Sequence, residues 1–144
     1  MNKEVQLTIS GLHNDGQAEG AALEAVSMAE YYKRNDNHYL VYEETMEGFD
    51  KPTKNRIKFK DNLLELTRQG LLATHMIFEE NKTHMTPYAT PYGEVYLGIT
   101  TDKVQIQEQT DSITVLVEYR LETEEALVSE CRLKLHIENR LEQE

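Results

Sequence analysis

Arg68 is the residue whose type and position most constrain chemistry. It stands in phase with Leu64 and Leu66 in a run that alternates apolar and polar residues, so its guanidinium points toward a dry face. A buried guanidinium has to be paired or hydrogen-bonded. Two arrangements do that. One is an anion anchor, in which the planar fork grips a carboxylate or phosphate through two bonds. The other is a structural ion pair that plugs one end of a barrel, the commoner of the two. Glu43, in phase with Val41, and Glu44, in phase with Leu40 and Tyr42, are candidate partners, and Tyr42 adds a hydroxyl. Glu43 and Glu44 are neighbours on an extended run and face opposite ways, so they make a poor acid–base pair across one reacting bond.

The second candidate is the segment Tyr88-Ala89-Thr90-Pro91-Tyr92-Gly93. Pro91 removes a ladder donor and holds Thr90 extended. With Pro87 four residues earlier, it marks a bend, an edge or a bulge rather than a central strand. Tyr88 and Tyr92 can grip a ligand at a rim with Thr90 hydrogen-bonding it, or can staple a corner by packing. Together these segments give a candidate ligand-binding set of Arg68, Tyr42, Glu43, Glu44, Thr90, Tyr92 and Tyr88. The five histidines are scattered, without zinc spacing, and neither a metal nor a cofactor is expected. Cys131 falls on a dry face and reads as a small hydrophobe. No serine sits in a nucleophile elbow, and Gly11, Gly16 and Gly20 do not form a phosphate-cradling loop.

The elements that must hold these residues are strands. Val5, Leu7 and Ile9 alternate with polar residues, as do Ile113, Val115, Val117, Tyr119 and Leu121. The clearest run has Leu127, Cys131, Leu133, Leu135 and Ile137 facing one way and Glu130, Arg132, Lys134, His136 and Glu138 the other. This is the period of a strand with one dry and one wet face. Asn35-Asp36-Asn37, Asp61-Asn62, Asn81-Lys82, Thr101-Asp102 and Asp111-Ser112 supply turn chemistry between runs. About ten strands in an antiparallel meander follow. Asp15 to Leu23 and Glu47 to Thr53 read as loops. Leu23 to Tyr32 is ambiguous: its Ala, Leu, Met and Glu content has helix propensity, and its neighbours favour a long strand. A meander of one-faced strands closes into a barrel or stacks into a sandwich, and closure removes the exposed edges.

The chain has 144 residues and shows no repeat or linker, which suits a single domain over 1–144. One cysteine permits no internal disulfide, and no run approaches the ~18 apolar residues of a membrane span, so a cytoplasmic protein is expected. The net charge of −11 repels phosphate backbones and anionic lipid surfaces, arguing against nucleic-acid and membrane partners.

Tyr39-Leu40-Val41-Tyr42-Glu43-Glu44, Leu66-Thr67-Arg68-Gln69-Gly70, Thr90-Pro91-Tyr92-Gly93 and the Tyr119-Arg120-Leu121 strand before the closing strand have an order and spacing that resembles the YwiB family of small bacterial proteins. The resemblance covers nearly the whole chain. It implies an all-β fold, a closed antiparallel up-and-down β-barrel of the lipocalin-like (calycin) kind, and it supplies no activity. The leading expectation is a non-enzymatic module that binds a small, partly apolar, anionic ligand inside or at the mouth of the barrel. A second is a structural or interaction protein with a side-chain-filled barrel, acting as a homodimer through outward residues such as Ile77, Leu116 and Val128. The third is an enzyme using Arg68 with Glu43 or Glu44 and a tyrosine, which no legible nucleophile–base pair supports.

Overall fold

A computed structural model describes residues 3–11, 24–44, 52–69, 74–90, 93–123 and 127–140. Ten strands form one antiparallel sheet: β1 (Glu4–Ser10), β2 (Glu24–Arg34), β3 (Asn37–Glu44), β4 (Thr53–Lys60), β5 (Leu63–Gln69), β6 (Thr74–Glu79), β7 (Lys82–Thr90), β8 (Gly93–Glu108), β9 (Ser112–Glu122) and β10 (Leu127–Asn139). Their spatial order is β6-β5-β4-β3-β2-β1-β10-β9-β8-β7. Each strand therefore pairs with its chain neighbours, except β6 with β7, and the last strand returns to the first. The sheet wraps into a nearly closed barrel whose seam lies between β6 and β7. There the Thr86 hydroxyl donates to the His75 carbonyl at 3.5 Å. Pro87 stands in the edge strand β7, where a missing N–H is tolerated and further pairing is discouraged.

The short turns at Asn35-Asp36, Asp61-Asn62, Glu80-Asn81 and Gln109-Thr110-Asp111 gather at one end of the barrel, the turn end. Asn35, Asp36, Asp61 and Asn81 have positive φ, the backbone state that Asn and Asp tolerate best. At the opposite end, Gly11 has a φ of 78° and lies so close to the Arg132 carbonyl that a Cβ would collide with it. Leu23 to Tyr32 resolves as strand over its described part. β2 pairs with β1 on one side and β3 on the other, and these two ladders outweigh the helix propensity of its alanines and Met28.

One turn expectation is corrected. Thr101-Asp102 is a bulge inside the long strand β8, between Thr101 and Lys103. The extra residue, Asp102, projects outward to a two-bond grip by Arg120, at 3.1 and 3.0 Å. The freed backbone N–H of Val104 donates to the Glu80 carboxylate at 2.9 Å. Glu79 accepts from His84 at 2.9 Å and pairs with Lys82 at 3.1 Å. Glu79 and Glu80 are thus tied into the fold. The loop stretches Asp15 to Leu23 and most of Glu47 to Thr53 lie outside the described residues.

The inward faces follow the alternation. Val5 and Leu7 of β1, Ile113, Val115 and Val117 of β9, and Leu133, Leu135 and Ile137 of β10 are buried against Leu40, Ile57, Phe59, Leu64 and Phe78 from the other wall. Across β3, β4, β5 and β6 the register stacks three inward rows. His38, Phe59, Leu64 and Phe78 lie nearest the turn end; Leu40, Ile57, Leu66 and Met76 come next; Tyr42, Asn55 and Arg68 lie toward the opposite end. The first two rows are almost wholly apolar, and the third is polar.

Candidate functional site

The third row brings together three residues that sequence reasoning placed on separate runs or overlooked. Tyr42 pairs with Asn55, and Asn55 pairs with Arg68, on adjacent strands. Arg68 is in phase with buried Leu64 and Leu66, as its spacing predicted, and its side chain is mostly buried. Its Nη2 lies 3.9 Å from Glu44 Oε1, a long contact that is not the bidentate fork–fork arrangement. The same Glu44 oxygen accepts a 2.8 Å hydrogen bond from Asn55 Nδ2. Two buried atoms of the row have no hydrogen-bond partner among the described residues: Arg68 Nε, a donor, and Asn55 Oδ1, an acceptor. Buried polar groups are nearly always satisfied, so a pair of exceptions on residues facing each other across two strands is unusual.

Burial pushes the Tyr42 hydroxyl up to about 12; the Glu44 carboxylate adds to the rise and Arg68 opposes it. Tyr42 is therefore a neutral phenol at ordinary pH. Glu43, on the other face of β3, is exposed and takes no part in the row. β7 runs toward the same end, carrying Tyr88–Thr90 with it. The side chains of Tyr88 and Thr90, and all of Tyr92, lie outside the described residues.

A second polar cluster occupies the turn end. His38 is 5% exposed and its ring stacks on Phe59 at 4.7 Å. Its Nδ1 is 2.7 Å from the Tyr31 hydroxyl, and its Nε2 is 3.4 Å from Glu108 Oε1. The carboxylate can only accept, so Nε2 carries the ring proton and Tyr31 donates to Nδ1. Lys33 Nζ lies 3.7 Å from the other Glu108 oxygen. Three strands separate β2 from β8 in the sheet, so Glu108 reaches across the barrel mouth to Lys33 and His38. A cleft of about 710 Å³ opens beside this bridge, walled by Lys3, Tyr31, Lys33, Glu108 and Thr110 among others. The sequence held one signal for it: His38 and Tyr31 are in phase with the core residues Leu40 and Ala29.

Burial lowers the His38 pKa below its ordinary 6.5, against a smaller raising effect of Glu108. The unfolded chain therefore takes up a proton there that the folded chain resists. The stability due to neutral His38 is complete above about pH 6.5 and falls as pH drops below it toward the folded pKa. Urea midpoints should fall from about pH 7.5 to about pH 5.5 more steeply in the native protein than in His38→Gln. Glu79, whose pKa is lowered by hydrogen bonds from His84 and Lys82, loses its contribution only at more acid pH. Equal slopes in the two proteins would mean that His38 is not held neutral by burial.

Among the described residues, no three His, Cys, Asp or Glu side chains gather as a metal site, and no helix is long and apolar enough to cross a membrane. Ile77 and Leu116 are half-buried, and the Val128 side chain lies outside the described residues. Among the described residues the exposed large apolar side chains are instead Val26, Met28 and Tyr32 on β2, Met85 on β7 and Tyr96 on β8.

The crystal structure of YwiB protein from Bacillus subtilis superposes with a TM-score of 0.77 over 96% of this chain and 93% of that one, at 17% identity. At that identity the likeness speaks for the fold alone, a nearly closed barrel of ten antiparallel strands. No curated protein matches the chain. The family described as "Domain of unknown function (DUF1934)" matches residues 7–135, nearly the whole length. The chain belongs to that family.

Proposed function

We propose that this protein is a non-enzymatic binding module that holds a small, partly apolar molecule at the Arg68 end of its barrel, in the cytoplasm. The observation that carries the reading is the unpartnered Arg68 Nε beside the unpartnered Asn55 Oδ1. At the turn end Tyr31 bonds to His38 and Lys33 pairs with Glu108, and the one buried side-chain atom without a partner among the described residues there, Thr101 Oγ1, stands alone beside the Glu80-Asn81 turn. At the Arg68 end two buried polar atoms lack partners, and each such atom costs about 1–3 kcal/mol unless something meets it. A bound molecule that meets both atoms would relieve that cost. Among the described residues no nucleophile–base pair stands beside this row, which favours binding over catalysis.

The test is native mass spectrometry of protein purified gently from the cells that make it, followed by denaturing extraction. The expected result is a small molecule that leaves on denaturation and whose occupancy drops about tenfold or more in Arg68→Ala. A molecule held equally well by Arg68→Ala, or an empty native protein, would overturn the reading.

A further inference from the structure

The Arg68 row also specifies the chemistry of what it would hold. Asn55 has its orientation fixed by its neighbours. Its Nδ2 lies 2.8 Å from a Glu44 carboxylate oxygen and 3.5 Å from the Thr53 carbonyl, both pure acceptors. The amide nitrogen must therefore face them, and Oδ1 faces away as an acceptor in need of a donor. Arg68 Nε–H, on the paired residue, is a donor in need of an acceptor. The positive charge of Arg68 is meanwhile offset by Glu44, 3.9 Å from Nη2. The site thus needs one acceptor and one donor and carries little net charge.

We propose that the head group held between Arg68 and Asn55 is neutral and presents an acceptor beside a donor, as a primary carboxamide does. This rests on the reading of the Arg68 end as a binding site. The carboxamide carbonyl accepts from Arg68 Nε–H, and its N–H donates to Asn55 Oδ1. A carboxylate answers only the first need. It sets its own lone pairs against Asn55 Oδ1 and its charge beside Glu44, and a phosphate does so with more charge. The anion that an isolated arginine calls for is already supplied by the chain, as Glu44.

Three probes with one tail separate these possibilities: octanamide, N,N-dimethyloctanamide, which accepts but cannot donate, and octanoate. Binding is measured by isothermal titration calorimetry. The expected result is octanamide tighter than either of the others by about tenfold, the value of one buried hydrogen bond of about 1.4 kcal/mol. In Asn55→Leu, shown to be folded by its circular dichroism melt, octanamide and dimethyloctanamide should bind alike. If that variant does not fold, the ranking of the three probes on the native protein decides the matter. Octanoate binding as tightly as octanamide overturns the neutral head, dimethyloctanamide binding as tightly overturns the donor, and either leaves the binding site standing. No binding by any probe overturns both.

Discussion

Replacing Phe59 by alanine should destabilise the protein by about 3–5 kcal/mol, the cost of deleting a fully buried aromatic ring. Phe59 is 1% exposed and sits in the inward row nearest the turn end, between His38 on β3 and Leu64 on β5. Its ring lies nearly parallel to the His38 imidazole, 8° apart. Two losses therefore coincide. The core loses a large apolar group, and the histidine that connects Tyr31 to the cross-mouth carboxylate loses the surface that holds its plane. Domains of this kind are stable by only about 5–15 kcal/mol, so the change removes a large share of the total. Urea denaturation measures it. The same variant should also show a weaker fall in stability on acidification, because a cavity beside His38 admits water and relieves the burial that keeps the ring neutral. A cost below about 1 kcal/mol would mean that the ring is not packed between the two walls.

The two ends of the barrel differ in what remains for a ligand to do. At the turn end, Glu108 projects from the last residue of β8, meets Lys33 and His38, and bridges strands that do not pair. That end is tied by its own side chains. At the other end, Glu44 is shared between Asn55 and Arg68, and one donor and one acceptor are left over. A binding site is better sought where the protein's hydrogen bonds are incomplete than where they close.

The ten strands were legible because most carry one apolar face in clean alternation, and Asn and Asp mark the turns between them. Where the structure departed, the physics of two states overlapped. Thr101-Asp102 carries turn chemistry, but a bulge uses the same backbone freedom, and only the β9 ladder on both sides of it tells the two apart. Leu23 to Tyr32 has a composition that suits either state, and pairing on both edges decides it. Arg68 was legible from phase alone, since a charged residue among inward leucines is conspicuous; its partner was not, because Glu43 and Glu44 were both candidates. Asn55 was not, although it is in phase with Ile57 and Phe59, because asparagine is common in turns and drew no notice near Pro52. The Tyr31–His38–Glu108 bridge could not be read, because it depends on barrel closure, which alone brings β8 to face β2 and β3.

Leu135→Ala tests that closure and the phase of the closing strand together, with an expected cost of about 2–5 kcal/mol. Leu135 is 1% exposed and pairs with Ile9 on β1 and Val115 on β9, so it stands where the chain's last strand joins its first. The adjacent Lys134 faces outward between Ser10 and Leu116 and is exposed. Truncating it should change stability by no more than about half a kcal/mol. The contrast between neighbours is the informative quantity, because a slip of one residue along β10 turns every inward side chain outward. Comparable costs at both positions would mean that β10 is not a one-faced strand. A reversed order, with Lys134→Ala the more damaging, would require the opposite register against β1 and β9, and the barrel as described could not then close on itself.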